Sequence, residues 1–222
     1  MTAGGDNSST TFSGAIQNGG FALGLTKTGS GTLILSGTST YTGATSVSVG
    51  TLQVDGTLGN TTVSVESGAT LAGHGTIAGD VTIQNGGVLA PGPVGETMAV
   101  GNLALNQNSI LNYVLSTPGV VGGVNTLVNV NGNLTLDGTL NVSNGVGFGA
   151  GSYRLFNYTG LLNDQTLNLG TLPTGFSEVV TTGVTGQVNL VVSSSGVASQ
   201  FWDGSNMAFD GAVHGGSGTW DM

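Results

Sequence analysis

Short apolar segments recur along the chain, and within each segment apolar and polar residues alternate. Three successive segments show the theme: VSVGTLQVDGTL, VSVESGATLAGHGTI and VTIQNGGVLAPG. Each opens on an alternating apolar pair and reaches a Leu after a Gly. The pairs are Val47 with Val49, Val63 with Val65 and Val81 with Ile83, and the leucines are Leu52, Leu71 and Leu89. A period of two predicts short strands with one buried face, and the Gly and Asn residues between them predict bends.

A third apolar position, Leu58 or Ile77, follows in the first two segments, so each unit holds three short strands. No connection has room for a helix, which excludes a βαβ fold, and the turns of a hairpin meander do not recur. The pattern therefore predicts an all-β, parallel β-helix in which each unit is one coil stacked on its neighbours. We expect about nine or ten coils in a rod about 45 Å long. The predicted inward ladders are Val47, Val63 and Val81, and Leu52, Leu71 and Leu89.

The later coils are less regular, and the chain divides into three parts. Loops are predicted at Ser116 to Val124, Asn144 to Gly151 and Leu172 to Gly175. We assign 1–23 to an N-terminal cap or leading coil, 24–195 to a stalk with a C-terminal cap region, and 196–222 to a linker and the truncated start of a further segment. Phe12, Ile16 and Phe21 are expected to cover the first coil, and Tyr153 to Val192 to close the other end. Deleting 196–222 should then leave thermal stability nearly unchanged.

Composition narrows the possible functions. The 222 residues include 42 Gly, 2 Lys or Arg, 11 Asp or Glu and no Cys, with a formal net charge of −9. Two cations cannot neutralise a nucleic-acid backbone, so nucleic-acid binding is excluded. The absence of Cys excludes disulfides and Cys-ligated metals. Abundant Gly and few helix-forming charged residues argue against a helical protein.

No stretch of the chain has the length and apolarity of a transmembrane helix. Between Glu96 and Asp137 there is no charged residue, but Gly, Asn, Ser and Thr interrupt the apolar positions throughout. The opening MTAGGDNSSTTF lacks the basic and apolar regions of an export signal. We therefore expect a mature segment that does not insert into the membrane, with any export signal encoded before it.

One stretch carries a family resemblance. LTKTGSGTLILSGTSTYTGATSVSVGTLQV, from Leu25 to Val54, resembles the passenger-associated repeat of type V autotransporters. The matching positions are Leu25, Lys27, Gly29, Gly31, Leu33, Leu35, Gly37, Tyr41, Gly43, Thr45, Val47, Gly50 and Leu52, whereas Ser39 departs from the usual Asn. Words such as GDVTIQNGGVLAPG extend the similarity over Gly24 to Val192. The terminal FWDG…GGSGTWD resembles the opening of a further passenger segment.

The resemblance implies a fold and a cellular location. Its fold would be a right-handed, single-stranded parallel β-helix of the pectate-lyase type, with three strands per coil. Its route would lead through the periplasm and the outer membrane to the surface of a Gram-negative cell. The family's outer-membrane barrel would lie elsewhere in the full-length protein.

The acidic residues suggest turns more than catalysis. Asp55 and Asp137 precede Gly in the matching words VDGTL and LDGTL, and Asp80 follows Gly. Asp in such places hydrogen-bonds its own backbone. A polysaccharide lyase or hydrolase on the same fold would instead need paired carboxylates, or an acidic calcium cluster with a base.

The cations and histidines also favour structural roles. Lys27 is a repeat position, and Arg154 lies in an alternating strand. His74 and His214 lack neighbours at metal-ligand spacing. The word GGSGTWD occurs once and has Trp220 where a calcium-binding repeat needs Asp, so a calcium roll is not predicted. We therefore predict no catalytic, metal or cofactor-binding residue, no cofactor, and leave the binding residues unassigned.

Few aromatic side chains are available for a carbohydrate-binding platform. Those of the later strands are Tyr113, Tyr153, Phe156 and Tyr158. We predict that they belong to the core or to a cap.

The most economical function is structural. We expect a stalk segment of a surface-displayed passenger that serves in adhesion, with a host-surface protein or glycan as partner. A second copy bound along the uncharged flank of the β-helix is a further possibility. The alternative from a different class is an enzyme acting on acidic polysaccharide.

Overall fold

The computed structural model describes residues 1–92 and 95–195, and its strands form a parallel β-helix. The chain visits a first, a second and a third sheet in turn and then begins the next coil. The predicted fold class is confirmed. No helix occurs in the described ranges, and accordingly none there could span a membrane.

The strands are short and follow the coils in order. The first half comprises β1 (Thr2–Ala3), β2 (Thr10–Phe12), β3 (Leu25–Lys27), β4 (Thr32–Leu35), β5 (Thr38–Ser39), β6 (Thr45–Val47), β7 (Thr51–Val54), β8 (Thr57–Leu58), β9 (Val63–Val65), β10 (Thr70–Gly73), β11 (Thr76–Ile77) and β12 (Val81–Ile83). The second half comprises β13 (Val88–Pro91), β14 (Thr97–Val100), β15 (Leu103–Leu105), β16 (Ile110–Leu115), β17 (Leu127–Val130), β18 (Leu134–Leu136), β19 (Thr139–Asn144), β20 (Gly151–Tyr158), β21 (Leu162–Asp164), β22 (Asn168–Leu169), β23 (Phe176–Thr181) and β24 (Gln187–Ser194).

From β3 onward, each sheet stacks every third strand of the coils, whereas β1 and β2 of the leading coil stack on β3 and β4. The first sheet runs β1-β3-β6-β9-β12-β15-β18-β21 and the second β2-β4-β7-β10-β13-β16-β19-β22, both parallel throughout. The third sheet runs β5-β8-β11-β14-β17-β20 in parallel, and β24 and then β23 add to it antiparallel.

The interior is filled by aligned side chains, mostly apolar, and most strands bury two of them. In the second sheet the ladder of Leu33, Leu52, Leu71, Leu89, Leu111 and Leu140 is buried throughout. The predicted alignment of Leu52, Leu71 and Leu89 is therefore confirmed. Leu58 and Ile77 likewise pair in the third sheet, where Val100 and Val130 continue the row.

Val47, Val63 and Val81 are buried on one face of the first sheet in successive coils, as predicted, but Val47 lies two residues out of register with Val63 and Val81. Val47 pairs with Val65, and Val63 pairs with Thr45 on one side and Val81 on the other. Val49, predicted to point inward, is 48 % exposed beyond the end of β6. Hydrophobicity misleads here because a polar residue, Thr45, takes an inward position and hydrogen-bonds inside the core.

The stack is also shorter than predicted. The first and second sheets hold eight strands each within the described residues, about 34 Å of solenoid instead of nine or ten coils. Two causes account for the difference. Some coils carry long loops, and the last two strands form a hairpin that adds no coil.

At the N-terminal end, only part of the expected cover forms. β1 and β2 pair with β3 and β4 as a leading coil, and Ile16 is buried in the core. Phe12 and Phe21 are 42 % and 91 % exposed, so they do not cover the first coil. Ile16 does so because its backbone N–H donates to the buried Ser39 Oγ (3.1 Å), which fixes this loop over β5.

At the other end, the hairpin of β23 and β24 finishes the third sheet. β24 pairs antiparallel with β20, with an irregularity in register between Arg154 and Phe156. The three predicted loops are present between strands. The domain boundaries at 24 and 195 remain predictions. The predictions for the 196–222 linker, His214, Trp220 and the deletion of that segment concern residues outside the described ranges.

Candidate functional site

The three carboxylates singled out in the sequence occupy three different corners of the solenoid. Asp55 lies between β7 and β8, Asp80 between β11 and β12, and Asp137 between β18 and β19. These connections join the second sheet to the third, the third to the first, and the first to the second. The structure therefore does not bring these three acids together.

Two of these acids serve the backbone and neighbouring coils. Asp137 Oδ1 accepts a hydrogen bond from the N–H of Gly138 (2.8 Å), as turn chemistry predicts. Asp80 Oδ1 accepts from Asn102 Nδ2 in the next coil (2.8 Å). Asn102 Oδ1 in turn accepts from the N–H of Asn133 (2.7 Å), and Asn133 Oδ1 accepts from Leu161 N–H (2.8 Å). This polar ladder ties four successive coils at one corner.

The third acid has a partner that the sequence analysis missed. Asp55 Oδ1 lies 3.4 Å from Nδ1 of His74, which occupies the same corner one coil later. Neither atom has another hydrogen-bond partner, whereas Asp55 Oδ2 accepts from Gln53 Nε2 (2.7 Å). Two groups do not make a metal site, and no cluster of three potential ligands is found in the described residues. The sequence alone does not identify this pair, because Asp55 and His74 lie in different repeat units and their proximity depends on how the coils are aligned.

Lys27 is fully buried inside the solenoid. Its Nζ donates to the carbonyl oxygens of Thr28 (2.6 Å), Gly29 (2.7 Å) and Val49 (3.2 Å), the last in the following coil. Burial lowers the pKa of Lys27, because desolvation disfavours the charged amine. The residue thus fastens one corner of two coils, a structural role.

Arg154 joins the last coil to the terminal hairpin. Its Nε donates to Asn189 Oδ1 on β24 (2.8 Å), and a guanidinium nitrogen donates to Asn157 Oδ1 (2.6 Å). Asn157 Nδ2 extends the network to Asn129 Oδ1 in the preceding coil (2.8 Å). Burial lowers the pKa of Arg154 as well. Its partners are neutral amides, so it holds strands together.

The aromatic residues of the later strands are buried, as predicted for a core or cap. Tyr113, Tyr153 and Phe156 are at most 1 % exposed, and Tyr158 is 8 % exposed. Tyr113 donates to the carbonyl of Leu155 (3.2 Å), and Phe148 stacks on Tyr153 at a centroid distance of 5.3 Å. No ring of this group is free to stack on a sugar.

A cleft of about 390 Å³ opens between the last coil and the hairpin strand β23. It is lined by Asp164, Thr166, Leu167, Asn168, Leu169, Glu178, Val179, Val180 and Thr182. Asp164 accepts from Thr182 Oγ1 (2.9 Å), whereas Glu178 Oε1 has no hydrogen-bond partner. Burial raises the pKa of Glu178. The lining holds two carboxylates, Asp164 and Glu178, and no basic side chain.

Two loops lie side by side at the corner between the second and third sheets; we call residues 116–126 and 145–150 the loop pair. They belong to the long coils that run from Leu103 to its register partner Leu134, and from there to Leu162. Gly119 N–H donates to the Ser152 carbonyl (2.8 Å), and a Cβ at Gly145 would overlap Ser116 Oγ. The two loops therefore pack against each other.

A buried amide organises the first of these loops. Asn125 is fully buried; its Oδ1 accepts from Ser116 N–H (2.7 Å), and its Nδ2 donates to the carbonyls of Thr117 (2.8 Å) and Val120 (2.7 Å). Thr126 adds two hydrogen bonds to the backbone of Val114. Such internal satisfaction fixes the loop in one conformation.

The fixed loop pair presents apolar side chains to solvent. Val120 and Val121 are 40 % and 55 % exposed, and Val146 of the second loop is 94 % exposed. No charged residue occurs within either loop. Loops that a rigid scaffold holds in place commonly carry binding functions, and clustered exposed apolar residues mark contact surfaces. The loop pair is the best candidate binding surface of the described residues.

Comparisons with known proteins agree with this architecture. Residues 25–54 match the passenger-associated-transport-repeat. The chain is 47 % identical over 228 residues to the adhesin BmaC autotransporter of Brucella suis biovar 1 (strain 1330). The alignment covers 97 % of this chain but only 6 % of that relative, so the chain corresponds to a small part of a long protein.

Proposed function

Because the chain is a segment of an autotransporter passenger, we propose that it is a β-helical stalk segment that presents adhesive loops. Passengers of this family are displayed at the Gram-negative cell surface, which they reach through the periplasm and the outer membrane. The similar Brucella protein is named an adhesin, which supports an adhesive role for this segment.

The observation that carries the proposal is the loop pair. A solenoid that served only as a spacer could be built from short coils alone, such as the one between Val63 and Val81. Here two coils are lengthened at the same corner, and the extra residues form a hydrogen-bonded platform with exposed Val side chains. Because the scaffold fixes the loops in advance, binding would cost little ordering entropy.

The chemistry of the loop pair favours a protein partner over a glycan. Its exposed side chains are aliphatic except for Thr117, and none is charged. Glycan platforms use exposed aromatic rings, whereas Tyr113, Tyr153 and Phe156 are buried. An apolar patch on a host-surface protein is therefore the partner we assign to the loop pair.

A bead-adhesion assay tests this role. Beads coated with the 222-residue chain are applied to a host-cell monolayer, and the bound beads are counted. The Val121→Ser, Val146→Ser double variant should reduce binding about tenfold, because a loss of about 0.7 kcal/mol for each apolar contact removes about 1.4 kcal/mol of binding free energy. Val184→Ser, which changes a Val that is 53 % exposed in the terminal hairpin, should bind like the original chain.

Two results of this bead assay would count against an adhesive role of the loop pair. Equal binding by the double variant and the original chain would contradict the role of the loop pair. Equal losses in the double variant and Val184→Ser would show general surface stickiness instead.

We also propose that the segment is not an enzyme. The separation of Asp55, Asp80 and Asp137 onto three corners supports this. The chain should not cleave pectin, alginate or glycosaminoglycans with or without calcium. Turnover that disappears on substitution of Asp80 or Asp137 would establish the enzyme alternative.

A further inference from the structure

Arg154 carries the only cationic side chain of permanent charge that is not fully buried. The chain has two Lys or Arg residues, and the other one, Lys27, lies inside the solenoid. Arg154 is half-buried in β20, between the inward residues Tyr153 and Leu155, so its side chain emerges on the outward side of the third sheet. No acid of the described residues forms an ion pair with it, although the chain has 11 Asp or Glu residues. Its positive charge is therefore not neutralised within the described ranges.

Arg154 determines the orientation of three neighbouring amides. Its Nε donates to Asn189 Oδ1 (2.8 Å), and a guanidinium nitrogen donates to Asn157 Oδ1 (2.6 Å). A guanidinium can only donate hydrogen bonds, so both amides must turn their oxygen towards it. Asn157 then contacts Asn129 with its NH2 group, and Asn129 must also accept with its oxygen (2.8 Å). The chemistry of Arg154 fixes all three amides in this way.

These four residues form a surface that is rich in donors; we call Arg154, Asn129, Asn157 and Asn189 the donor patch. Each amide oxygen already accepts a hydrogen bond inside the patch. The side-chain N–H groups of Asn129 and Asn189, and most of those of the guanidinium, have no protein partner in the part of the chain that the structure describes. A set of donors around a positive charge favours an anion, and the planar fork of Arg matches the two oxygens of a carboxylate.

Exposed valines lie next to the donor patch. Ser152, two residues before Arg154 in β20, is the register partner of Val191, and Val191 pairs with Val179 of the terminal hairpin. Both valines are exposed. They add an apolar border to a surface that is otherwise polar. A ligand that fits this surface combines a carboxylate, further hydrogen-bond acceptors and some C–H surface.

A sugar that carries a carboxylate has all three features. Its carboxylate would pair with Arg154, its hydroxyl oxygens would accept from the amides, and the C–H face of its ring would contact the valines. We propose that the donor patch binds a terminal sugar bearing one carboxylate. Aromatic stacking is not required here, because the carboxylate supplies the anchor. This site adds a second contact to the protein contact of the loop pair.

The charge of the chain limits the ligand to a single acidic sugar. A net charge of −9 repels an acidic polysaccharide. An isolated carboxylate experiences little of this long-range repulsion, because physiological salt screens charges beyond about 8 Å. With one charged contact at a half-buried side chain, we expect a dissociation constant of roughly 1 mM.

A nuclear magnetic resonance titration of the 222-residue chain tests the proposal. Arg154 is the only Arg, so its Nε–H signal is unique and reports on the donor patch directly. Methyl glucuronide should shift this signal and saturate at millimolar concentration. Methyl glucoside, which has a CH2OH group in place of the carboxylate, is the matched control and should leave the signal unchanged. Acetate tests the carboxylate alone and should bind at least about tenfold more weakly.

An isosteric pair of variants separates the donor patch from the rest of the surface. Asn129→Asp keeps the oxygen that accepts from Asn157 but replaces the amide donor with a negative charge, so glucuronide binding should weaken about tenfold or more. Asn112→Asp makes the same change on the second sheet, where Asn112 Oδ1 accepts from Asn141 Nδ2 (3.0 Å), and should bind like the original chain. Circular dichroism melts check that both variants fold.

Several results would overturn the inference. They are an unchanged Nε–H signal at about ten times the expected dissociation constant, an equal response to methyl glucoside, or equal weakening in Asn129→Asp and Asn112→Asp. Acetate that binds as tightly as methyl glucuronide would assign the patch to an acidic side chain of a protein instead of a sugar. The bead assay gives an independent result, because Val121→Ser and Val146→Ser change no residue of the donor patch.

Discussion

Lys27 shows how a single polar residue can be part of an apolar solenoid. An amine buried without a carboxylate would be costly on its own. Its three backbone acceptors supply the lost hydration, and one of them, Val49, belongs to the next coil. Gly29 completes this corner: it adopts a φ of 69°, and a Cβ there would overlap the carbonyl of Gly4. The Lys and Gly positions of the repeat thus have a common physical basis.

Replacing Lys27 tests this account. Lys27→Met keeps the length of the side chain but leaves three carbonyls without the donor, so we expect a loss of about 1 to 3 kcal/mol in the free energy of unfolding. Thr26→Ala, on the outward side of the same strand, should change stability by about 0.5 kcal/mol or less. Urea titration measures both. Equal stability of Lys27→Met and the original chain would mean that the desolvation cost of the buried ammonium group cancels the stabilisation from its three hydrogen bonds.

Leu71 provides the corresponding test of the apolar ladder. It is fully buried between Leu52 and Leu89, so Leu71→Ala should leave a cavity and cost about 2 to 5 kcal/mol. Thr70→Ala, on the outward side of the same strand, serves as the control. A loss below about 0.5 kcal/mol for Leu71→Ala would be incompatible with a close-packed interior.

At the residue scale, hydrophobicity predicted most inward positions but not the polar ones. Leu52, Leu71 and Leu89 follow from alternation alone. Thr45 does not, because its burial depends on hydrogen bonds with Tyr41 (2.6 Å) and Thr61 (3.0 Å), residues that alternation does not connect. The family pattern includes positions Tyr41 and Thr45, yet it does not state that they meet.

Among the elements, the terminal hairpin departs most from the regular coil. The last coil places Asp164 opposite the buried Leu136 of the coil before it, so this inward row of the first sheet ends on a polar residue. β23 and β24 then close the third sheet with antiparallel pairing. Alternating residues predict strands here but not their direction, because both directions share the same period of two. The loops were predictable, since Gly and Pro interrupt the alternation.

The cleft beneath this hairpin gives a pH-dependent prediction for Glu178. Burial raises its pKa, so the folded state holds the proton more tightly than the unfolded chain does. Protonated Glu178 therefore contributes fully to the stability of the folded state below about pH 4, the pKa of an ordinary Glu. This contribution is lost as the pH rises through the raised pKa. Glu178→Gln stays neutral, so its melting temperature relative to the original should rise between about pH 4 and about pH 7.

Paired thermal melts at the two pH values measure this difference, and the melt at low pH is the internal control. A constant difference across the range would contradict the burial of the carboxylate against the last coil.

At the scale of the whole molecule, the register between successive coils determines which side chains face the interior and which face solvent. Each coil contacts its neighbours, so the stack is built from local interfaces repeated along the axis. A shift of two residues in one coil would bring Val49 into the inward position that Val47 now occupies and would move Thr45 out of the strand. The sequence predicts the stacking itself, because the apolar segments repeat. It does not determine the offset where VSV occurs at both 47–49 and 63–65.

The most direct test of the stacked β-helix uses paired cysteines, because the chain has none of its own. Ser46 and Ser64 are register partners on the outward side of the first sheet, about 4.8 Å apart between Cα atoms, which suits a disulfide. Ser48 is two residues further along, about 8 Å from Ser64, too far for one. Under mild oxidation, non-reducing mass spectrometry should find the bond in Ser46→Cys, Ser64→Cys and not in Ser48→Cys, Ser64→Cys. The reverse result, or no bond in either variant, would contradict the stacking on which the stalk and the loop pair both depend.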